Sequence, residues 1–62
     1  MNRLRELRKE KGLSKTELAN RSGITRQTIT RLEKEEVDTA NSKTLKALAD
    51  ALEVRVTDFF SG

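Results

Sequence analysis

The stretch from Lys15 to Lys34 constrains this chain more than any other. Ser14-Lys15-Thr16-Glu17 has the form of a capping box: a serine hydroxyl accepts from the amide three residues on, and a glutamate reaches back. Leu13 and Leu18 stand where a hydrophobic staple closes around that start. The helix so begun lasts barely two turns before Ser22-Gly23, and glycine adopts the left-handed conformation that a Cβ penalises. A second start signal follows at once, with Thr25 as N-cap and Ile24 and Ile29 as its staple. Two short helices joined this closely must cross tightly, and Ala19 is small enough to permit it. Ile29 and Leu32 centre the inward face of the second helix. At about 100° per residue, Arg26, Gln27, Thr30, Arg31 and Lys34 fall on the opposite arc. Glu33 sits at the edge of the apolar face.

The remainder reads as helix as well. A first helix is expected from about Asn2 to Lys11, with Leu4, Leu7, Arg8 and Lys11 on one face and Gly12 ending it. Arg8 is a cation on the apolar side, so its head either reaches out to water or finds a buried partner. A loop from Glu35 to Ala40 follows, and Asn41 or Ser42 caps a fourth helix whose core stripe is Leu45, Leu48, Ala49 and Leu52. Val54 and Val56 bring the chain back, and Phe59 and Phe60 end it on a short fifth helix. The expectation is a compact all-α fold of five helices. At 62 residues it is one domain. A chain this short buries only about 60% of the surface its unfolded form exposes, so its stability is marginal.

Composition removes most other functions. Without cysteine there are no disulfides or thiolate metal sites, and without histidine the commonest acid–base catalyst is missing and zinc is disfavoured. No metal, cofactor or small-molecule ligand is expected, and an enzyme is the poorest fit. No apolar stretch resembles a signal peptide or approaches the ~20 residues that span a bilayer, so a soluble cytoplasmic protein with no membrane partner is expected. The net charge is +3, and its distribution says more than its size. Met1 to Lys34 holds ten of the thirteen basic residues and four of the ten acidic ones.

A braced helix with a polar, acid-poor outer face has the ingredients of a DNA reader. The major groove, about 12 Å wide, admits one α-helix, and its base edges distinguish all four base pairs. Arg26 and Gln27 open the helix, where side chains reach deepest. Arginine can donate two parallel bonds to guanine, and glutamine pairs with adenine. Thr25 and Thr28 suit a thymine methyl or a phosphate, and Arg31, one turn on, suits a base or the backbone. Lys15, Thr30, Lys34 and Lys43 are placed for phosphates, as are the amide ends of the second and fourth helices.

These residues together resemble a known pattern. Residues 3 to 60 are similar to the lambda-repressor-like domain family, the Cro/XRE type of helix–turn–helix regulators. The likeness rests on Leu7-Arg8, on Leu13-Ser14-Lys15-Thr16-Glu17-Leu18-Ala19, and on Gly23-Ile24-Thr25-Arg26-Gln27-Thr28-Ile29 with Leu32-Glu33. It continues through Thr44-Leu45-Lys46-Ala47-Leu48-Ala49-Asp50-Ala51-Leu52. The resemblance implies a five-helix DNA-binding domain with the helix–turn–helix at helices 2 and 3, usually dimeric, on a palindromic operator. It places base or backbone contacts at Lys15, Thr25, Arg26, Gln27, Thr28 and Arg31, with further backbone contacts at Asn41, Ser42 and Lys43. It also implies an ion pair between Arg8 and Glu33, in agreement with the helical wheels.

The chain departs from that family in three places. After Glu33 it has Lys34-Glu35-Glu36-Val37-Asp38, with no glycine, where the family usually turns and continues with basic residues. Ala40 stands where a proline is common, and Arg55 where a small polar residue often caps the last helix, leaving Thr57 to take over that cap. The leading expectation is a sequence-specific regulator, most often a repressor, acting on double-stranded DNA as a homodimer. Its dimer contact is expected near Val54, Val56, Phe59 and Phe60, the competing reading there being plain core packing. The alternative function is an antitoxin or protein-interaction module on the same fold, docking a protein partner through the acids at Glu35 to Asp38.

Overall fold

The computed structural model describes residues 3–34 and 41–60. Within them the chain forms α1 (Leu4–Glu10), α2 (Lys15–Ser22), α3 (Arg26–Lys34) and α4 (Ser42–Leu52), and then a 3-10 turn at Val56–Phe59. No strand occurs among the described residues. The loop expected from Glu35 to Ala40, with its acids, lies outside them, as does Asn2 at the expected start of the first helix.

Each helix is bounded by bonds made within a few residues. At α2 the Ser14 hydroxyl accepts from the Glu17 amide at 3.1 Å, and the Ser14 amide donates to the Glu17 carboxylate at 3.1 Å. Thr25 starts α3 in the same way, its hydroxyl accepting from the Thr28 amide at 3.2 Å. Asn41, rather than Ser42, caps α4, its side-chain oxygen accepting from the Thr44 amide at 2.8 Å. Gly12 (φ +70°) and Gly23 (φ +75°) end α1 and α2 in the left-handed region.

The exit from α4 uses the same geometry without a glycine. Glu53 sits at φ +59°, its amide donating to the Asp50 carbonyl at 3.1 Å while the Val54 amide donates to the Ala49 carbonyl at 2.9 Å. This pair of bonds is a Schellman closure, and glycine is the residue it favours. Val54 packs against the core just beyond it, which holds the strained residue in place.

The expected fifth helix is corrected to a single 3-10 turn of four residues. Its bonds span three residues, from the Asp58 amide to the Arg55 carbonyl at 2.9 Å and from the Phe60 amide to the Thr57 carbonyl at 3.1 Å. Four residues are too few to repay nucleation of an α-helix. Thr57 does not take over the cap. It lies inside the turn, and the bond at the turn's start runs from the Arg55 amide to the Asp58 carboxylate at 2.9 Å.

The core is aliphatic with one aromatic plug. Leu4, Leu18, Ile29, Leu32, Leu48, Leu52 and Phe59 are fully buried, and Leu7, Leu13, Leu45 and Ala49 complete the cluster. α2 packs against both α3 and α4, α1 lies against α3, and α4 also holds the 3-10 turn. The Arg3 amide donates to the Phe59 carbonyl at 3.1 Å, so the two ends of the described chain meet. α3 is thereby supported from behind, with Ile29 and Leu32 facing inward.

Candidate nucleic-acid interface

The mount of α3 begins at the turn before it. Gly23 donates its amide to the Ala19 carbonyl at 2.9 Å. The Ser22 hydroxyl donates to the Leu18 carbonyl at 2.7 Å and accepts from the Ile24 amide at 3.1 Å. Ser22 thus stitches the end of α2 to the approach of α3, a role that its place beside Gly23 did not disclose. A methyl added at Gly23 would meet nothing within 4 Å, so the need for glycine there is conformational rather than steric.

Arg8 supplies the second brace. Its Nε donates to Glu33 Oε2 at 2.7 Å and its Nη2 to Glu33 Oε1 at 3.3 Å, while Nη1 donates to the Leu13 carbonyl at 2.8 Å. The two side chains are 10% and 5% exposed, so Arg8 does not reach out to water and the pair is inside. One guanidinium therefore ties α1 to the end of α3 and to the chain entering α2. The fork geometry fixes orientation as well as distance. No buried side-chain nitrogen or oxygen among the described residues lacks a hydrogen-bond partner.

The outer face of α3 is open. Thr25, Arg26, Gln27, Arg31 and Lys34 are exposed, and Thr28 and Thr30 are half-buried. Lys15, Arg26, Gln27 and Thr30 line one recess of about 380 Å³. A second recess of about 240 Å³ shares Lys15 and Thr30 with it and is otherwise lined by Arg5, Arg8, Glu33 and Lys34. Five of the residues expected from sequence to touch DNA, Lys15, Arg26, Gln27, Thr30 and Lys34, thus line one continuous surface. Arg31 lies outside both recesses, as do Asn41, Ser42 and Lys43 at the exposed start of α4.

The threonines are partly committed to the fold. The Thr25 hydroxyl donates to Thr28 Oγ1 at 2.9 Å while accepting from the Thr28 amide, so its hydrogen is already used in the cap. Asn41 Oδ1 is likewise occupied at its own cap, leaving the amide nitrogen as its outward donor. The carboxyl of Glu17 is held below its ordinary value, first by the Ser14 backbone amide and then by the Ser14 hydroxyl, so the cap of α2 carries a stabilised negative charge.

Arg5 was missed by sequence reasoning. It lies on the first helix, outside the helix–turn–helix, and its placement beside Lys15 and Lys34 follows only from how α1 packs on α3. The available signal was its spacing: Arg5 precedes the inward Arg8 by three residues and so shares its side of the helix.

The residues expected to contact the partners of a dimer divide sharply. Phe59 is fully buried in its own chain and is thereby removed from the list of surface contacts, while Phe60 is 43% exposed. Val54 and Val56 are half-buried and pack against the core.

Among the described residues, four helices with a glycine turn, a braced second helix of the pair and a cationic outer face define a DNA-binding helix–turn–helix domain. The helix–turn–helix family model matches residues 4–59, nearly the whole chain. The protein belongs to that family, the Cro-type or lambda-repressor-like helix–turn–helix domains. No curated protein and no solved structure matches it at a significant level. The family is one of DNA-binding regulators. None of the described helices is long and apolar enough to cross a membrane.

Proposed function

We propose that this chain is a sequence-specific transcriptional regulator that places α3 in the major groove of an operator and acts as a repressor by occupying promoter DNA. The observation that carries the reading is the contrast across α3: Ile29 and Leu32 are fully buried, while Arg26 and Gln27 stand exposed on its first turn beside Lys15. Arg26 and Gln27 are the base readers, supported by Thr25, Thr28 and Arg31. Lys15, Thr30, Lys34, Asn41, Ser42 and Lys43 hold the phosphate backbone and set the register of α3.

One such module buries about 600–1,000 Å² of protein surface on DNA, less than most specific complexes need. A homodimer on a palindrome doubles that area and requires half-sites about one helical turn, ~34 Å, apart. Phe60, together with the half-buried Val54 and Val56, is the proposed contact between copies. The docking alternative draws on Glu35 to Asp38, which lie outside the described residues.

Selecting bound duplexes from a random pool tests the reading directly. A palindromic consensus with two equal half-sites is expected. Recovery of no sequence preference, with binding that depends on salt alone, would refute operator recognition and leave only a non-specific DNA binder.

A further inference from the structure

We propose that the recess between α1, α2 and α3 is a seat for one DNA backbone phosphate, and that Arg5 of α1 is its anchoring side chain. The inference rests on the reading of α3 as the groove-facing helix and adds to it a contact from outside the helix–turn–helix.

Three elements deliver cations to this one place. Arg5 comes from α1, Lys15 from the first position of α2, and Lys34 from the last position of α3, with the half-buried Thr30 between them. Among the described residues, none of the three has a carboxylate within ion-pair distance. The recess does contain one acid, Glu33, but both of its oxygens are taken by Arg8, at 2.7 and 3.3 Å. Its floor is therefore a closed ion pair with little charge left to repel an anion, and every charged residue on its described rim is a cation.

Gathering like charges raises the free energy of the folded chain unless a counter-charge occupies the site. A phosphodiester oxygen supplies that charge, and the planar fork of arginine suits it better than a point charge does. The recess also adjoins the one lined by Arg26 and Gln27, sharing Lys15 and Thr30 as its wall. A phosphate seated there fixes how far Arg26 and Gln27 enter the groove. Arg5 is thus a positioning contact: it grips without reading sequence.

The test is the salt dependence of binding to a labelled duplex of mixed sequence, followed by anisotropy between ~50 and ~200 mM salt. Arg5→Gln keeps a polar end on a shorter stem and removes the charge. It is expected to weaken all duplexes alike and to lower the slope of log K against log salt by about 0.9, one phosphate's share. Arg5→Lys should keep the parent slope, and so should Arg55→Ala, which removes a cation outside both recesses. The consensus selected from a random pool should be unchanged by Arg5→Gln, and its thermal melt by circular dichroism should match the parent. A parent that binds with a steep slope and an Arg5→Gln variant that matches it would overturn the seat alone. A fall in slope as large for Arg55→Ala as for Arg5→Gln would also overturn it, since only overall charge would then matter. A parent with no salt-dependent binding would overturn the DNA reading itself, and the seat with it.

Discussion

Arg26 and Gln27 owe their placement to a cap just before them and to a buried ion pair behind them. They occupy the first turn of α3, which is capped by Thr25 and held at its far end by Arg8. Replacing Arg26 or Gln27 with alanine should cost roughly 1–3 kcal/mol of binding and relax preference at one base position, read by repeating the pool selection. Equal binding of cognate and scrambled duplexes by parent and variant would remove that residue from the base readers. The brace behaves differently. Arg8→Ala or Glu33→Ala leaves one buried charge unpaired and should lower unfolding stability by about 3–5 kcal/mol in urea titrations. Replacing both with leucine removes both charges and should restore most of that loss. Single variants as stable as the parent would mean that the pair is solvated, contrary to its burial.

At the level of elements, the starts and stops make two different demands. The α2 cap depends on an ionised Glu17, whose folded-state value lies below its ordinary 4.5 because Ser14 bonds to the charged form. A depressed carboxyl contributes stability that is fully present above the unfolded value and is lost as pH falls through the folded one. Urea titrations should show that loss in the acid range, and Glu17→Gln should be less stable at neutral pH yet flatter toward acid. An unchanged acid limb in Glu17→Gln would separate the cap from the pH response. The exit from α4 carries strain instead. Glu53→Gly relieves a left-handed conformation that costs an ordinary residue about 1–2 kcal/mol, partly offset by glycine's greater freedom when unfolded. A net gain of about 0.5–1 kcal/mol is expected from thermal unfolding. A loss would show that the Glu53 side chain makes a compensating interaction.

Taken whole, the molecule separates two neighbouring aromatics into two jobs. Phe59 fills the core beside α4, its carbonyl accepting from the Arg3 amide, and Phe60 is exposed. Phe59→Ala should therefore cost about 3–5 kcal/mol and unfold a domain this small. Phe60→Ser should keep the melt of the monomer but shift the proposed dimer toward monomers in sedimentation, weakening a two-half-site operator more than a single half-site. Unaltered sedimentation would move the dimer contact elsewhere on the surface.

What the chain order alone could settle was whatever is decided within about one helical turn. The Ser14 box, the Thr25 and Asn41 caps, and the glycines at Gly12 and Gly23 all act through bonds to residues no more than five positions away, so their spacing is their signal. Local spacing gave no sign that Glu53 holds a glycine's conformation, and it misled at the end of the chain, which closes in a 3-10 turn in place of a helix. The helical wheels marked Arg8 and Glu33 as inward charges without saying that they meet, and it was the family resemblance that paired them, as the structure does. The seat of Arg5, Lys15 and Lys34 and the parting of Phe59 from Phe60 belonged to tertiary structure alone. Both depend on the rotation at which α1 and the 3-10 turn settle against α3 and α4, and side chains distant in sequence fix that rotation together.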